Sequence, residues 1–209
     1  MLVLASTSPR RQQLLSMLGC QFQVVSAVVD ERIEPDETPQ QYVLRLADAK
    51  ANAVRSKTSR DSLILAADTA VVSGDQILGK PIDAAHAVEM LQSLRGRVHQ
   101  VFTGLVVMQN EDGQSIADLS VTQVQMREYE DDEILAYVES GDAYDKAGAY
   151  AIQHAGFDPV ERLQGCYANV VGLPVCQLTP SLQKFGMEVD QICPGVGQDG
   201  HADECKIRL

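Results

Sequence analysis

The 209-residue chain contains no tryptophan, and aromatic residues make up only 5% of it. It also lacks any apolar run that approaches the roughly 20 residues needed to cross a membrane. The short apolar start has no basic segment before it, so it does not resemble a signal peptide. We therefore expect a cytoplasmic protein with no membrane partner.

Cysteine is scarce and scattered. The five residues are odd in number, widely spaced and without a CxxC pair; they are Cys20, Cys166, Cys176, Cys193 and Cys205. This pattern indicates neither a zinc site nor a disulfide framework. We expect these thiols to pack as small apolar side chains.

Positive charge is also in deficit, since 17 Lys and Arg stand against 29 Asp and Glu, giving a net charge of -12. Affinity for nucleic acids depends on cation–phosphate contacts, so this balance argues against a nucleic-acid partner. Any local basic cluster is correspondingly informative. With 45% hydrophobic and 22% charged residues, the chain otherwise has the composition of a globular domain with a sizeable core.

The apolar pattern predicts strands at 2–5, 22–29, 63–67, 98–108, 116–126 and 166–174, and a hairpin over 71–78 that turns at Ser73-Gly74-Asp75. Capping residues and glycine stops predict helices at 8–18, 38–55, 83–94, 131–140 and 175–185, the last kinked or split by Pro180. This mixture predicts an α/β or α+β fold with a mixed sheet. Residues 188–209 are polar and aperiodic, so we expect a loosely ordered tail after a domain of residues 1–187.

Two cations lie in the first turn of the helix that begins at Ser8. The helix dipole repels Arg10 and Arg11 there, so they are either solvated or neutralised by a bound anion. A strand leading into a helix N-terminus presents free backbone N–H groups, and Arg binds phosphate through paired hydrogen bonds. With the hydroxyls of Ser6 and Ser8, the segment predicts a polyphosphate site. In that case neither arginine stabilises the free protein.

Two lysines extend this basic set. Lys50 falls along the apolar stripe of the 38–55 helix. It is therefore either a lysine that reaches from the edge of the stripe to solvent or an ammonium directed into a cleft. Lys80 lies between a strand and Pro81, in a turn whose backbone is restricted.

Two carboxylates follow predicted strands, Asp68 after 63–67 and Glu31 after 22–29. Ligands bind at the carboxyl ends of strands in open α/β sheets, although Asp68 can equally cap a turn. Carboxylates among cations suit metal-assisted phosphoryl chemistry, in which they hold Mg²⁺ or activate water. Nearby cations should lower the pKa of Asp68 and keep it ionised.

A further candidate is the segment DAYDKAGAYAIQ, residues 142–153. Asp145 and Lys146 precede small residues and Gly148, which permits a close backbone approach. Gln153 can read a base edge through its amide, although a charged turn followed by an ordinary strand explains the pattern equally well. The chain lacks GxSxG, and its candidate serines have no evident base partner, so we expect no covalent nucleophile.

Taken in order, these segments resemble the Maf family of nucleoside-triphosphate pyrophosphatases from Leu2 to about Phe185. The matching segments are ASTSPRR (5–11), VDE (29–31), RLADAKA (45–51), AADT (66–69), GKP (79–81), HQVFTG (99–104), DKAGAYAIQ (145–153) and NVVGLP (169–174). The resemblance implies a fold similar to the inosine-triphosphate pyrophosphatases, an elongated, curved mixed sheet with helices around a central cleft. It also implies hydrolysis between the α- and β-phosphates with Mg²⁺ or Mn²⁺ as cofactor.

The family's site residues carry over to matching positions. The resemblance maps the general base onto Asp68, the acidic position after the second strand onto Glu31, and phosphate-binding positions onto Ser6, Arg10, Arg11, Lys50 and Lys80. We accordingly expect Asp68, Lys50 and Lys80 to be catalytic, and Glu31 and Asp68 to hold the metal. The expected substrate-binding residues are Ser6, Ser8, Arg10, Arg11, Thr69, Asp145, Lys146 and Gln153.

The resemblance also bears on the base. Arg11, Thr69 and Gln153 match three specificity positions of the dTTP/UTP-type subgroup, so dTTP and UTP are the expected substrates. His154 stands where the family usually has Gly, which leaves the path of the base-side loop open. The alternatives are a pyrophosphatase for 7-methyl-GTP or another modified nucleotide, and a non-catalytic nucleotide-binding regulator of septum formation. A homodimer is among the oligomeric states left open.

Overall fold

A computed structural model describes residues 1–154 and 156–190. Its strands are β1 (Leu2–Leu4), β2 (Phe22–Val24), β3 (Leu63–Ser73), β4 (Gln76–Leu78), β5 (Val98–Gln109), β6 (Ser115–Met126) and β7 (Val160–Gln164). Its helices are α1 (Pro9–Ser16), α2 (Pro39–Val54), α3 (Ala84–Leu94), α4 (Asp131–Glu139), α5 (Tyr167–Val171) and α6 (Val175–Lys184). Single 3₁₀ turns lie at Arg55–Lys57 and Ala147–Ala149.

The seven strands form one mixed sheet with the order β2-β1-β3-β5-β6-β7, and β4 pairs with β3 beside this path. β1 runs parallel to β2 and β3, and the other neighbours are antiparallel. This helix-flanked sheet confirms the predicted fold class. Within residues 1–154 and 156–190, no helix is long and apolar enough to cross a membrane.

Side-chain alternation along β3 divides the core between the two faces of the sheet. Leu63 and Leu65 belong to the cluster formed with α1, α5 and α6, whereas Ile64 and Ala66 belong to the cluster formed with α2. A third cluster packs α3 and α4 against the far end of the sheet. Because the period is two, a polar residue at position 68 continues the face covered by α2.

The predicted helix starts are confirmed by their caps. The Ser8 hydroxyl accepts from the N–H of Arg11, and Thr38 forms a capping box with Gln41. Asp83 accepts from the N–H of His86 at the start of α3. These caps accept hydrogen bonds from N–H groups that a helix leaves unpaired in its first turn. Because each cap joins residues three positions apart, it can be predicted from the sequence.

β3 is longer than the predicted strand 63–67, and Asp68 lies in the middle of it rather than at its end. Asp68 pairs with Gly104 of β5 in the antiparallel ladder. A charged residue is tolerated at this buried position because α2 supplies a lysine to pair with it. Apolar patterning cannot anticipate that partner, so the predicted strand stops too early.

The edge of β3 that faces β1 and β4 is open in the middle. β1 pairs with residues 63–65 and β4 with residues 71–73. Among the strands of the described residues, none pairs with 66–70 along this edge. The opening lets consecutive residues of β3 reach one cleft although their side chains point to opposite faces of the sheet.

Two other predictions are wrong. β2 ends at Val24, so Glu31 lies in an irregular segment rather than directly after a strand. The predicted strand 166–174 is instead the helix α5. α6 contains Pro180 without being split by it, and a kink there stays a prediction. α5 forms because the buried Asn169 side chain donates to Val101 O and Thr122 Oγ1, at 3.0 and 2.9 Å, which overrides local strand propensity.

The sequence also missed a strand and a covalent bond. β7 reads as polar because most of its residues are exposed, and no strand was expected there. Cys176 is disulfide-bonded, so the expectation of packing thiols is wrong for this residue.

Much of the predicted tail, including Cys193 and Cys205, lies outside the described residues. Within them, Val189 packs against the core, and the N–H of Asp190 donates to Leu18 O at 3.0 Å. The division into a domain of residues 1–187 and a tail stays a prediction.

Candidate active site

The opening in β3 leads into a cavity of about 450 Å³, which adjoins a second cavity of about 320 Å³. The first is lined by eleven of the residues that the sequence singles out: Ser8, Arg10, Arg11, Glu31, Lys50, Asp68, Thr69, Lys80, Asp145, Lys146 and Gln153. Ser6 lines the second cavity. Residues from six separate segments of the chain are therefore brought to one cleft.

Lys50 is the centre of the charged part of the cleft. Its Nζ lies 2.6 Å from Oδ1 of Asp68 and 2.7 Å from Oε1 of Glu31. The lysine side chain is only 11% exposed, because the neighbouring positions of α2, among them Ala47 and Ala51, are buried against the sheet. The alternative of a lysine extended to solvent is therefore wrong, and the ammonium is directed into the cleft.

Gly104 lets α2 come close enough for this contact. A β carbon at position 104 would lie 2.5 Å from the carbonyl oxygen of Val43 in α2. Gly104 is also the residue that pairs with Asp68 across the ladder. The glycine of the HQVFTG segment thus sets the distance between α2 and the sheet beside the carboxylate that Lys50 contacts.

The two carboxylates differ in ionisation. Burial raises the pKa of Asp68, and the charges of Lys50 and Arg11 only partly oppose it. The expectation that cations would lower this pKa is therefore wrong in direction. Burial also acts on Glu31, but the hydrogen bond and charge of Lys50, with Lys80 and Arg11, bring its pKa below the ordinary value. Asp68 is thus the better proton acceptor of the two.

Arg11 is held in place by the protein itself. Its Nε donates to Gly172 O at 2.9 Å, Nη2 to Thr69 Oγ1 at 3.1 Å and Nη1 to Ser6 Oγ at 3.4 Å. Its pKa is lowered by burial, against the opposing charges of Asp68 and Glu31. These contacts fix the guanidinium, and two of its five N–H groups remain for a ligand. That neither arginine stabilises the free protein stays a prediction.

Arg10 and Lys80 are the more available cations. Arg10 pairs with the exposed carboxylate of Asp145, at 3.3 Å, and Lys80 is exposed at the rim of the cleft. Lys146 is nearly buried and donates to Asp145 Oδ1 at 2.7 Å and Asp142 Oδ1 at 2.8 Å. Arg10, Asp145 and Lys146 therefore form a chain of charges along one side of the cleft.

The segment that carries Glu31 has no regular structure, and α2 fixes it from the side. The Tyr42 hydroxyl donates to Glu31 O at 3.0 Å, and Arg45 donates to Arg32 O at 3.0 Å. Arg45 also pairs with the buried carboxylate of Glu37 at 2.5 Å. Glu31 is thus presented to the cleft by contacts that join distant parts of the sequence.

The cavity lining also includes uncharged residues. They are Thr69, Tyr150, Ile152, Gln153 and Val170. The Thr69 hydroxyl lies 2.9 Å from that of Thr103, which fixes it beside Arg11. A lining that combines charged, apolar and uncharged polar groups suits a ligand that carries both phosphates and a base.

His154 does not disturb the loop beside Gln153. Its backbone is not among those with positive φ, and its Nδ1 accepts from the N–H of Phe157 at 3.0 Å. Its ring meets that of Tyr137 edge to face, with the centroids 4.8 Å apart. The His154 side chain thus packs against Tyr137 at a position where a glycine would have no side chain.

Sequence reasoning missed Tyr42 and Tyr150 as residues of the cleft. Tyr42 lies next to the apolar stripe of α2, and Tyr150 follows the small residues of the 142–153 segment. The sequence around each tyrosine predicts an aromatic side chain packed in the core. Spacing alone gives no signal that separates an aromatic lining a cleft from one that packs inside the domain.

A family model described as "Maf-like protein" matches residues 1–185. A dTTP/UTP pyrophosphatase of Thermoanaerobacter sp. is 44% identical over 183 residues, 88% of this chain and 95% of the relative. One of Desulforamulus reducens is 43% identical over 188 residues, 90% of this chain and 98% of the relative. One of Geotalea uraniireducens is 45% identical over 185 residues, 88% of this chain and 95% of the relative.

Among solved structures, one match is a nucleoside-triphosphatase, dITP/XTP pyrophosphatase, from Mycobacterium abscessus. It has a TM-score of 0.38 and 14% sequence identity, and the match covers 60% of this chain and 72% of that one.

Proposed function

Because the chain belongs to the Maf-like protein family, we propose that it hydrolyses nucleoside triphosphates to a monophosphate and pyrophosphate, with dTTP and UTP as its substrates. The observation that carries the proposal is the contact of Lys50 with both Glu31 and Asp68, at 2.7 and 2.6 Å, inside a cleft rimmed by further cations. The relatives that are 43–45% identical are named dTTP/UTP pyrophosphatases.

The cations hold the triphosphate. Arg10 and Lys80 are exposed enough to turn toward a polyphosphate, and Arg11 offers its remaining N–H groups from a fixed position. Because Arg11 is oriented before substrate arrives, little side-chain entropy is lost when it binds an anion. Ser6 and Ser8 add hydroxyls at the start of α1.

Asp68 is the proton acceptor. It accepts the proton of a water whose oxygen attacks the α-phosphorus, and the bond from that phosphorus to the bridging oxygen of pyrophosphate breaks. Its raised pKa makes it a stronger base than an ordinary aspartate once it is ionised. Lys50 holds one of its oxygens, which orients the other toward the cleft.

The donor set fits a divalent cation that arrives with the phosphates. No group of three His, Cys, Asp or Glu side chains suited to a metal lies within residues 1–154 and 156–190, but Mg²⁺ commonly takes one or two carboxylates plus substrate phosphates. Lys50 contacts one oxygen each of Glu31 and Asp68, which leaves the second oxygen of Glu31 for the cation and that of Asp68 for the attacking water. Bound there, Mg²⁺ or Mn²⁺ would offset negative charge on the phosphates.

The base lies against the uncharged lining residues Thr69, Tyr150, Ile152, Gln153 and Val170, which we call the base end of the cavity. Thr69 and Gln153 provide hydrogen-bonding groups there, and Arg11 links this end to the phosphate end through its contact with Thr69. This arrangement supports a pyrimidine substrate, as the names of the relatives suggest. A cytoplasmic location and a homodimer stay predictions.

The deciding experiment incubates the protein with a panel of nucleoside triphosphates, 7-methyl-GTP included, in the presence of Mg²⁺, and separates the products by chromatography. We expect dTTP and UTP to give the monophosphate and pyrophosphate. The Asp68→Asn variant controls for contaminating phosphatases. A diphosphate and orthophosphate as products would contradict the proposal, and so would turnover of 7-methyl-GTP alone.

A further inference from the structure

A buried polar pair lies beside the base end of the cavity and has no part in the chemistry proposed above. His99 of β5 is 2% exposed, and its Nε2 lies 2.7 Å from the hydroxyl of Tyr150. The two rings meet edge to face at 81°. Tyr150 is 6% exposed and lines the cavity, so the pair connects the core of the domain to the wall of the cleft.

This pair is costly to the fold. Nδ1 of His99 is buried, and no hydrogen-bond partner for it lies within the described part of the chain. Burial lowers the pKa of His99 to about 4, so the ring is neutral at neutral pH. A neutral imidazole then leaves either a donor or an acceptor at Nδ1 unsatisfied, which lowers the stability of the fold. Apolar rings at positions 99 and 150 would leave no such group unsatisfied.

The backbone before Tyr150 is also unfavourable. Gly148 and Ala149 have φ values of 69° and 58°, and Ala149 is fully buried. A left-handed conformation is unfavourable for alanine because its β carbon crowds the backbone. The N–H of Gly148 donates to Gly79 O at 3.0 Å, next to Lys80. A strained turn anchored beside a cation of the cleft thus delivers Tyr150 to the cavity wall.

We propose that Tyr150 is the wall that limits the base end of the cavity to a single-ring base, and that His99 is the positioning residue that holds it there. This inference rests on the pyrimidine triphosphate activity proposed above. The hydrogen bond fixes the depth of the Tyr150 ring, so the ring cannot withdraw into the core to admit a purine. Thr69 and Gln153 then select among single-ring bases by their polar groups.

The test compares the wild type with the His99→Phe/Tyr150→Phe double variant and with Tyr150→Phe alone. The measurement is kcat/KM for dTTP and for dGTP at neutral pH, expressed as the ratio of the two. Because both substrates are turned over by the same folded fraction, the ratio does not depend on how much protein has unfolded. We expect it to fall about tenfold in the double variant, the scale of discrimination that pocket shape supplies, mainly through KM. The single variant should lose selectivity in the same direction.

Tyr129 provides a matched control. Its hydroxyl donates to Leu91 O at 2.7 Å, it is 2% exposed, and it packs in the same apolar cluster as Tyr150 without lining the cavity. Tyr129→Phe should lower the melting temperature and leave the selectivity ratio unchanged. An unchanged ratio in both Tyr150 variants would overturn this inference alone. A wild-type protein that hydrolyses neither dTTP nor UTP would instead overturn the proposed function.

Discussion

Two lysines of the cleft each contact two carboxylates, but these partners lie at different distances along the chain in the two cases. Lys50 is 11% exposed and joins Glu31 and Asp68, which come from segments on either side of it in the sequence. Lys146 is 7% exposed and joins Asp142 and Asp145, four residues and one residue away, and it also donates to the carbonyl of Asp142. The tertiary fold brings the Lys50 set together from three segments, whereas the Lys146 set stabilises a single turn.

The difference shows which lysine can take part in chemistry. Asp68 is buried and has a raised pKa, so its charge depends on Lys50 and on whatever enters the cleft. The side chains of Asp142 and Asp145 are 39% and 65% exposed, so both carboxylates are in contact with solvent. A buried set that connects three segments costs desolvation energy and suits a reaction site, whereas a local set mainly fixes a backbone turn.

Replacing one carboxylate in each set should show the largest difference between them. Asp68→Asn should reduce kcat by roughly 10²–10⁴-fold, because an amide cannot accept the proton from water. Asp142→Asn is the matched change beside Lys146 and should leave kcat within about threefold, since surface substitutions away from the reacting atoms have small effects. Steady-state kinetics with dTTP decide the matter. Near-normal turnover in folded Asp68→Asn would mean that another carboxylate is the base.

The same variant tests the direction of the pKa shift. A raised pKa means that folded Asp68 binds its proton more tightly than the unfolded chain does. This contribution favours folding below the ordinary aspartate pKa and is lost as pH rises through the folded-state pKa. The melting temperature of Asp68→Asn relative to wild type should therefore increase as pH rises from acid to neutral. A relative decrease would show that Lys50 outweighs burial.

An intermediate effect is expected from the lysines themselves. Lys50→Met should lower kcat/KM about 10²-fold, the scale seen when one group that stabilises developing charge is removed. Lys146→Met should instead lower the free energy of unfolding by up to about 1 kcal/mol, because its two partner carboxylates are exposed to solvent and remain hydrated without it. Denaturant titration and kinetics on both variants separate the two roles. A catalytic loss in Lys146→Met as large as that in Lys50→Met would remove the distinction.

The smallest effect is expected at the arginines of α1. Arg10→Gln should raise KM severalfold and leave the free energy of unfolding within about 0.5 kcal/mol, because its one ion pair is exposed. Arg11→Gln should also destabilise the fold, since it loses contacts to Gly172, Thr69 and Ser6. Thermal melts of both variants provide the measurement. Equal stability of the two would show that the contacts of Arg11 contribute nothing to the fold.

The sequence determined the parts of this protein that depend on neighbours along the chain. The caps at Ser8, Thr38 and Asp83 lie where the sequence predicts helix starts, and the apolar alternation in β3, β5 and β6 gives the sheet its two faces. These signals are readable because a cap or a period of two involves residues only a few positions apart. The set of residues gathered around the cleft was predicted through the resemblance of ordered motifs.

Only the tertiary structure decided the environment of those residues. Asp68 lies in mid-strand with a raised pKa, Arg11 is held by the protein, and Tyr150 becomes a wall of the cavity. Each outcome depends on a partner from a distant segment, such as Lys50, Gly172 or His99. Burial and the open edge of β3 fix these partners, and neither is a property of any short stretch of sequence.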